Sequence, residues 1–172
     1  KLLADICDHD DTDEIEPDSM FAEFFVPENR HVLQGARIGL VVPQQSLRES
    51  IKRVFRKTPK LSEDQVLTPF DVGAADDRWD LLIVDETHRL NQRANQSSGP
   101  NNRRFVDTNK RLFGVDDLSK TQLDWIRRQS DHQIFLLDSE QTVRPADLPQ
   151  EVLRSLVGDA RSSHRLYPLS TQ

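Results

Sequence analysis

The chain has 172 residues, enough for one domain with a core, and its formal charge of −6 excludes a uniformly basic nucleic-acid binder. Hydrophobic residues make up 35% and charged residues 30%, with mean hydropathy −0.66, which predicts one folded unit diluted by polar insertions. The single cysteine, Cys7, excludes an intrachain disulfide and fits a reducing cytoplasm, and no apolar run reaches the roughly 18 residues that would span a membrane.

The opening KLLADIC reads as the last turns of a helix. Seven acidic residues follow between Asp8 and Asp18, a stretch too polar to pack and expected to be a mobile loop; without these seven the rest of the chain carries +1. Residues 20–33 (MFAEFFVPENRHVL) are apolar enough to touch a core. The chain is therefore divided into an N-terminal segment, 1–36, and a core, 37–172.

From Arg37 the pattern sharpens. Ile38 to Val42 is a continuous apolar run of the kind buried on both faces of a sheet. Ser46 with Glu49 predicts a capping box opening a helix, whose Leu47, Ile51, Val54 and Phe55 share one face. Val66–Leu67 predicts a short second strand and Asp80–Val84 a third. Residues 91–104 read as a polar loop. Ser119 with Gln122 predicts a second capping box, stapled by Leu118 and Leu123, and Gln133–Leu137 a fourth strand. A final helix is expected between a cap at Asp147 and a stop at Gly158, then a strand from Leu166 to Leu169. Apolar strands alternating with amphipathic helices predict an α/β domain with a mostly parallel sheet, whose ligands bind beyond the carboxyl ends of the strands.

That rule directs attention to the strand ends. The third strand runs into Asp85-Glu86-Thr87-His88. Adjacent carboxylates there are costly unless something pairs with them, and magnesium on nucleotide phosphates would do so. Asp85 is the candidate magnesium ligand and Glu86 the candidate base that orients and deprotonates the attacking water. The plainer alternative is a pair of acids favoured by a helix dipole. His88 either bridges the nucleotide site and a neighbouring motif or faces an adjacent helix. After the fourth strand come Asp138, assigned to the nucleotide site, Gln141, able to hydrogen-bond the water or the terminal phosphate, and Arg144, able to neutralise developing charge. After the first strand, Gln44, Gln45 and Ser46 lie at a helix N-terminus that suits a nucleic-acid phosphate as well as an ordinary cap. Arg89, Arg93, Arg103, Arg104, Lys110 and Arg111 form a basic stretch, either solvated surface or an electrostatic track.

In this order, IGLVVPQQSLRESI, LLIVDETHRL, IFLLDSEQTVRPAD and the closing HRLYPLSTQ resemble motifs of superfamily 1 helicases. The resemblance is closer to a family of uncharacterised helicase-like ATPases related to the schlafen group, because Leu137 stands where many true helicases have Gly. It covers about residues 37 to 172. It implies a partial RecA-like P-loop core that hydrolyses ATP with Mg2+ and acts on DNA or RNA, with Asp85 as the magnesium-associated carboxylate, Glu86 as the base and Gln141 as the phosphate sensor. No G-x-x-x-x-G-K-[ST] loop occurs in the sequence, and KLLADIC resembles the tail of the helix that follows it. The expectation is thus a piece of a longer, cytoplasmic ATPase, inactive alone and prone to self-association. The alternative is a signalling or assembly ATPase, or a degenerate core used as an interaction module.

Overall fold

Gly39 and Val41, the alternate positions of Ile38–Val41 (β1), are buried while Ile38 and Leu40 are half-buried, and around that strand the sheet is built. The computed structural model describes residues 35–94, 99–138 and 144–168. β2 is Val66–Leu67, β3 Trp79–Val84 and β4 Ser130–Phe135; all pairings are parallel and the order is β2-β1-β3-β4. The helices are α1 (Gln45–Phe55), α2 (Pro69–Ala74), α3 (Gly99–Phe113), α4 (Gln122–Gln129) and α5 (Gln150–Ser162). The fold is α/β, a four-stranded all-parallel sheet flanked by helices. No helix among the described residues is long and apolar enough to cross a membrane.

Register sorts the side chains onto two faces, because paired parallel residues point the same way. Val41 pairs with Leu67 and Val84, and Gly39 with Leu82; this face is buried against Val72 of α2, Leu123 and Ile126 of α4, and Leu153 of α5. On the opposite face Leu40 pairs with Ile83 and Ile83 with Ile134; Ile134 remains 45% exposed at the sheet edge. α1 lies toward the β2 end and fully buries none of its residues.

Several expectations are corrected. α1 starts at Gln45 with Gln44 as its cap residue and no side-chain capping bond, so Ser46 with Glu49 forms no capping box. The apolar stripe holds for Leu47, Ile51 and Phe55, which are half-buried, but Val54 is exposed. α2 went unpredicted although Thr68-Pro69-Phe70-Asp71 carries its start: Asp71 and Thr68 cap one another, with Pro69 at the first position. The supposed loop at 91–104 contains the first turns of α3. α4 is capped by Thr121, whose N–H and hydroxyl both donate to Asp124. Ser119 instead donates to Asp117, and Leu118 is 75% exposed, so no staple forms. β4 begins at Ser130, earlier than the apolar run, because an edge strand tolerates outward polar residues. α5 passes through Gly158, where an added Cβ would meet open space, and its cap residue is Pro149. Leu166 to Pro168 form no strand. KLLADIC, the acidic stretch, residues 20–33, Gln141 and Leu169 lie outside the described residues.

Candidate active site

β1 connects outward to β2, and β3 connects the other way to β4, so the chain diverges between the adjacent strands β1 and β3. Such a switch point opens a crevice at the carboxyl ends, where ligands of parallel sheets bind. Asp85 stands there. Its N–H donates to the Val41 carbonyl at 2.9 Å, which prolongs the β1–β3 ladder by one residue. Its carboxylate Oδ1 accepts from the Glu86 N–H at 2.9 Å.

Glu86 then turns the chain. It adopts φ 47°, ψ 47°, the left-handed region, which costs a side-chain-bearing residue about 1 kcal/mol or more. Neighbouring bonds hold it there. The Thr87 N–H donates to the Leu136 carbonyl beyond β4 at 3.0 Å, and the Thr87 hydroxyl donates to the Val84 carbonyl at 3.2 Å. The Arg89 N–H donates back to the Glu86 carbonyl at 2.7 Å. The Glu86 carboxylate lies 3.1 Å from Nε2 of His88, whose side chain is 1% exposed against 26% for Glu86. His88 is therefore in contact with the Glu86 carboxylate within the strand-end turn.

The second feature is Asp147, read from the sequence as a helix cap. Its side chain is fully enclosed, with 0% exposure, and receives two arginines. Arg89 Nη1 donates to Oδ2 at 3.3 Å; the Arg144 N–H donates to Oδ2 at 2.8 Å and Arg144 Nη2 to Oδ1 at 3.1 Å. Around this centre the Gln92 N–H donates to the Ala146 carbonyl (3.0 Å), Gln92 Nε2 to the Pro145 carbonyl (2.8 Å), and the Asn91 N–H to Gln122 Oε1 of α4 (2.8 Å). The segments that follow β3 and β4 are thus stitched together. The sequence signal was an Asp spaced three residues after an Arg and preceding a proline-led helix, which is indistinguishable from a cap until the fold encloses it.

Asp85, Glu86, His88 and Arg144 therefore lie on one connected edge. Asp138 follows β4 and is exposed, and Gln141 lies outside the described residues. Gln44, Gln45 and Ser46 are exposed beyond β1, with Gln44 Nε2 donating to Ser46 Oγ at 3.4 Å; Arg48 of α1 donates to the Val42 carbonyl at 2.9 Å and so fixes that end. The basic stretch is mostly turned to structural use. Arg89 meets Asp147, Arg93 is held on Asp116, Arg104 stacks 4.3 Å over Phe70, and Arg111 donates to the Gly73 and Ala75 carbonyls. Arg103 and Lys110 are exposed.

Among the described residues no three His, Cys, Asp or Glu side chains converge to hold a metal ion by themselves. Magnesium commonly takes one or two carboxylates, with waters and substrate phosphates supplying the rest. Asp85, half-buried at a strand end with one oxygen on a backbone N–H, fits that role as a ligand to magnesium arriving with a nucleotide. The chain matches no protein-family model, no curated protein and no solved structure.

Proposed function

We propose that this chain is part of a RecA-like, ATP-hydrolysing core of a cytoplasmic, helicase-like protein that acts on DNA or RNA. The observation that supports the reading most is the position of Asp85 and Glu86: consecutive carboxylates leaving the carboxyl end of β3 at the switch point, with parallel β4 alongside. In this reading Asp85 holds Mg2+, which supplies charge neutralisation at the phosphates. Glu86 orients the attacking water and accepts its proton at a carboxylate oxygen. To do so it exchanges its contact with His88 for the water. Arg144 answers the charge that gathers on the terminal phosphate. Gln141 is assigned as its sensor on sequence alone. The exposed Gln44, Gln45 and Ser46 at the start of α1 are assigned to nucleic-acid backbone.

The test is ATP turnover by the full-length protein, with and without single-stranded DNA or RNA. Glu86→Gln is expected to lower kcat about 100-fold or more while ATP binding persists. Wild-type turnover in Glu86→Gln sinks the reading, and a rate indifferent to nucleic acid removes its helicase-like part. The 172-residue chain alone, lacking the G-x-x-x-x-G-K-[ST] loop, is expected to show no tight ATP binding in calorimetry.

One observation favours a second reading, a degenerate core retained as an interaction or assembly module: the proposed base is already engaged, with Glu86 3.1 Å from His88. The exposed Ile134 (45%) on edge strand β4 and Leu136 (42%) just beyond it suit self-association, which sedimentation of the isolated chain would detect as dimers dispersed by Ile134→Lys.

A further inference from the structure

A carboxylate enclosed within protein loses its hydration, and a well-packed apolar residue would often serve stability as well or better. Asp147 is such a carboxylate, and its partners are unequal. Both of its oxygens are engaged by Arg144, through the backbone N–H at 2.8 Å, Nε at 3.3 Å and Nη2 at 3.1 Å. Arg89 Nη1 reaches Oδ2, at 3.3 Å. Exposure runs the other way: the Arg144 side chain is 66% open to solvent, Arg89 26% and Asp147 0%.

This arrangement differs from an ordinary surface ion pair. The anionic half is fixed by burial, while most of the cationic half faces outward at the carboxyl edge of the sheet. A guanidinium presents five donors in a planar fork, so it can stay bound to a carboxylate along one side and offer the rest to another oxyanion. Arg89 ties the same carboxylate to the turn carrying the candidate base, since its own N–H donates to the Glu86 carbonyl at 2.7 Å. Asp147 thereby links the segment after β4 to the turn after β3, across 58 residues of sequence.

We infer that Asp147 is a positioning residue: anchored through Arg89, it holds the guanidinium of Arg144 outward at the strand-end crevice, where it meets a phosphate oxygen of the nucleotide. The inference rests on the nucleotide-hydrolysing reading and adds to it how Arg144 is aimed. Asp147 itself touches neither nucleotide nor water. Preorganisation of this kind accelerates reaction because the donor need not be reoriented as charge develops.

The experiment is steady-state hydrolysis of Mg-ATP by the full-length protein, comparing wild type, Glu86→Gln, Arg144→Gln, Asp147→Asn and the double variant Arg144→Gln/Asp147→Asn. Arg144→Gln and Asp147→Asn are each expected to lower kcat about tenfold or more with KM for ATP changed less than about threefold. The double variant is expected to fall well short of the product of the two losses, because Asp147 acts through Arg144. Losses that multiply mean that Asp147 is only a structural link, and overturn the inference. So does wild-type kcat in Arg144→Gln. If Asp147→Asn fails to fold, Arg144→Gln decides alone: loss of kcat with an unchanged thermal midpoint supports the inference, and unchanged kcat overturns it. Glu86→Gln separates the two levels. A dead Glu86→Gln beside an unaffected Arg144→Gln refutes the positioning role alone, whereas an active Glu86→Gln refutes the nucleotide reading itself.

Discussion

On the helical face of the sheet, Asn109 and Gln129 are buried within a regular, apolar setting. Trp125 Nε1 donates to Asn109 Oδ1 at 2.8 Å, and Asn109 Nδ2 donates onward to Asp116 Oδ1 and the Asp117 carbonyl. Gln129 Nε2 donates to the Ala75 carbonyl at 2.6 Å. Phe70, Phe105 and Trp125 pack around them, the last two with ring centroids 4.2 Å apart. At the strand-end edge, His88 and Asp147 are buried as deeply, yet the backbone turns left-handed at Glu86 and the bonds span distant segments. The first region uses polar groups to finish a packed core. The second holds charged groups in a strained turn beside solvent, an arrangement that core packing alone does not call for.

The largest expected effect falls on the packed region. Trp125→Ala removes a fully buried indole and the donor that satisfies Asn109, and is expected to cost about 3–5 kcal/mol in denaturant unfolding. A cost below about 1 kcal/mol would mean that this region is not the stabilising one. Next comes Gly73 of α2, where an added Cβ would stand 2.5 Å from Thr108 Cγ2 and 3.2 Å from the Trp125 ring. Gly73→Ala is expected to destabilise by about 1–3 kcal/mol through overpacking. Thr108→Ser, which deletes the nearer obstacle and keeps the hydroxyl bonded to the Arg104 carbonyl, should recover part of that loss.

A charged pair borders the same region and adds a pH test. Arg93 grips both oxygens of Asp116 at 2.9 Å, and the guanidinium holds the Asp116 carboxyl below its usual range. Because the folded value is depressed, the stabilisation is present above the unfolded carboxylate pKa of about 3.9 and is lost as pH falls through the folded value. Arg93→Met is expected to cost about 1.5–3 kcal/mol at pH 7. The gap to wild type should narrow below about pH 4, and a gap independent of pH would show that Arg93 contributes only packing against Phe105.

The sheet was legible because its strands are short apolar runs, and Asp85–Glu86 because paired acids after such a run are chemically conspicuous. What stayed hidden depended on enclosure. β4 could begin at Ser130 because it lies on an edge, a fact about strand order that Asp131 and His132 do not carry. α3 was obscured by NQRANQSSGPNNRR, whose few apolar side chains give no helical period, although Phe105, the next residue of that helix, is fully buried. Asp147 looked like a cap because local spacing cannot distinguish a capping carboxylate from one clasped by Arg89, distant in sequence. The left-handed turn at Glu86 had no glycine to announce it.

That turn supplies the smallest and sharpest contrast between the two regions. Glu86→Gly and Glu86→Ala both delete the carboxylate beside His88, so loss of that contact affects them alike. They differ in backbone tolerance: at φ 47° alanine keeps the Cβ penalty and glycine does not. In an ordinary extended or helical position glycine is the less stable of the two by roughly 0.5–1 kcal/mol. Here the order should invert, with Glu86→Gly more stable than Glu86→Ala by about 1 kcal/mol in chemical denaturation. Observing the ordinary order would show the turn to be unstrained, and the strand-end edge would then differ from the packed face only in its charges.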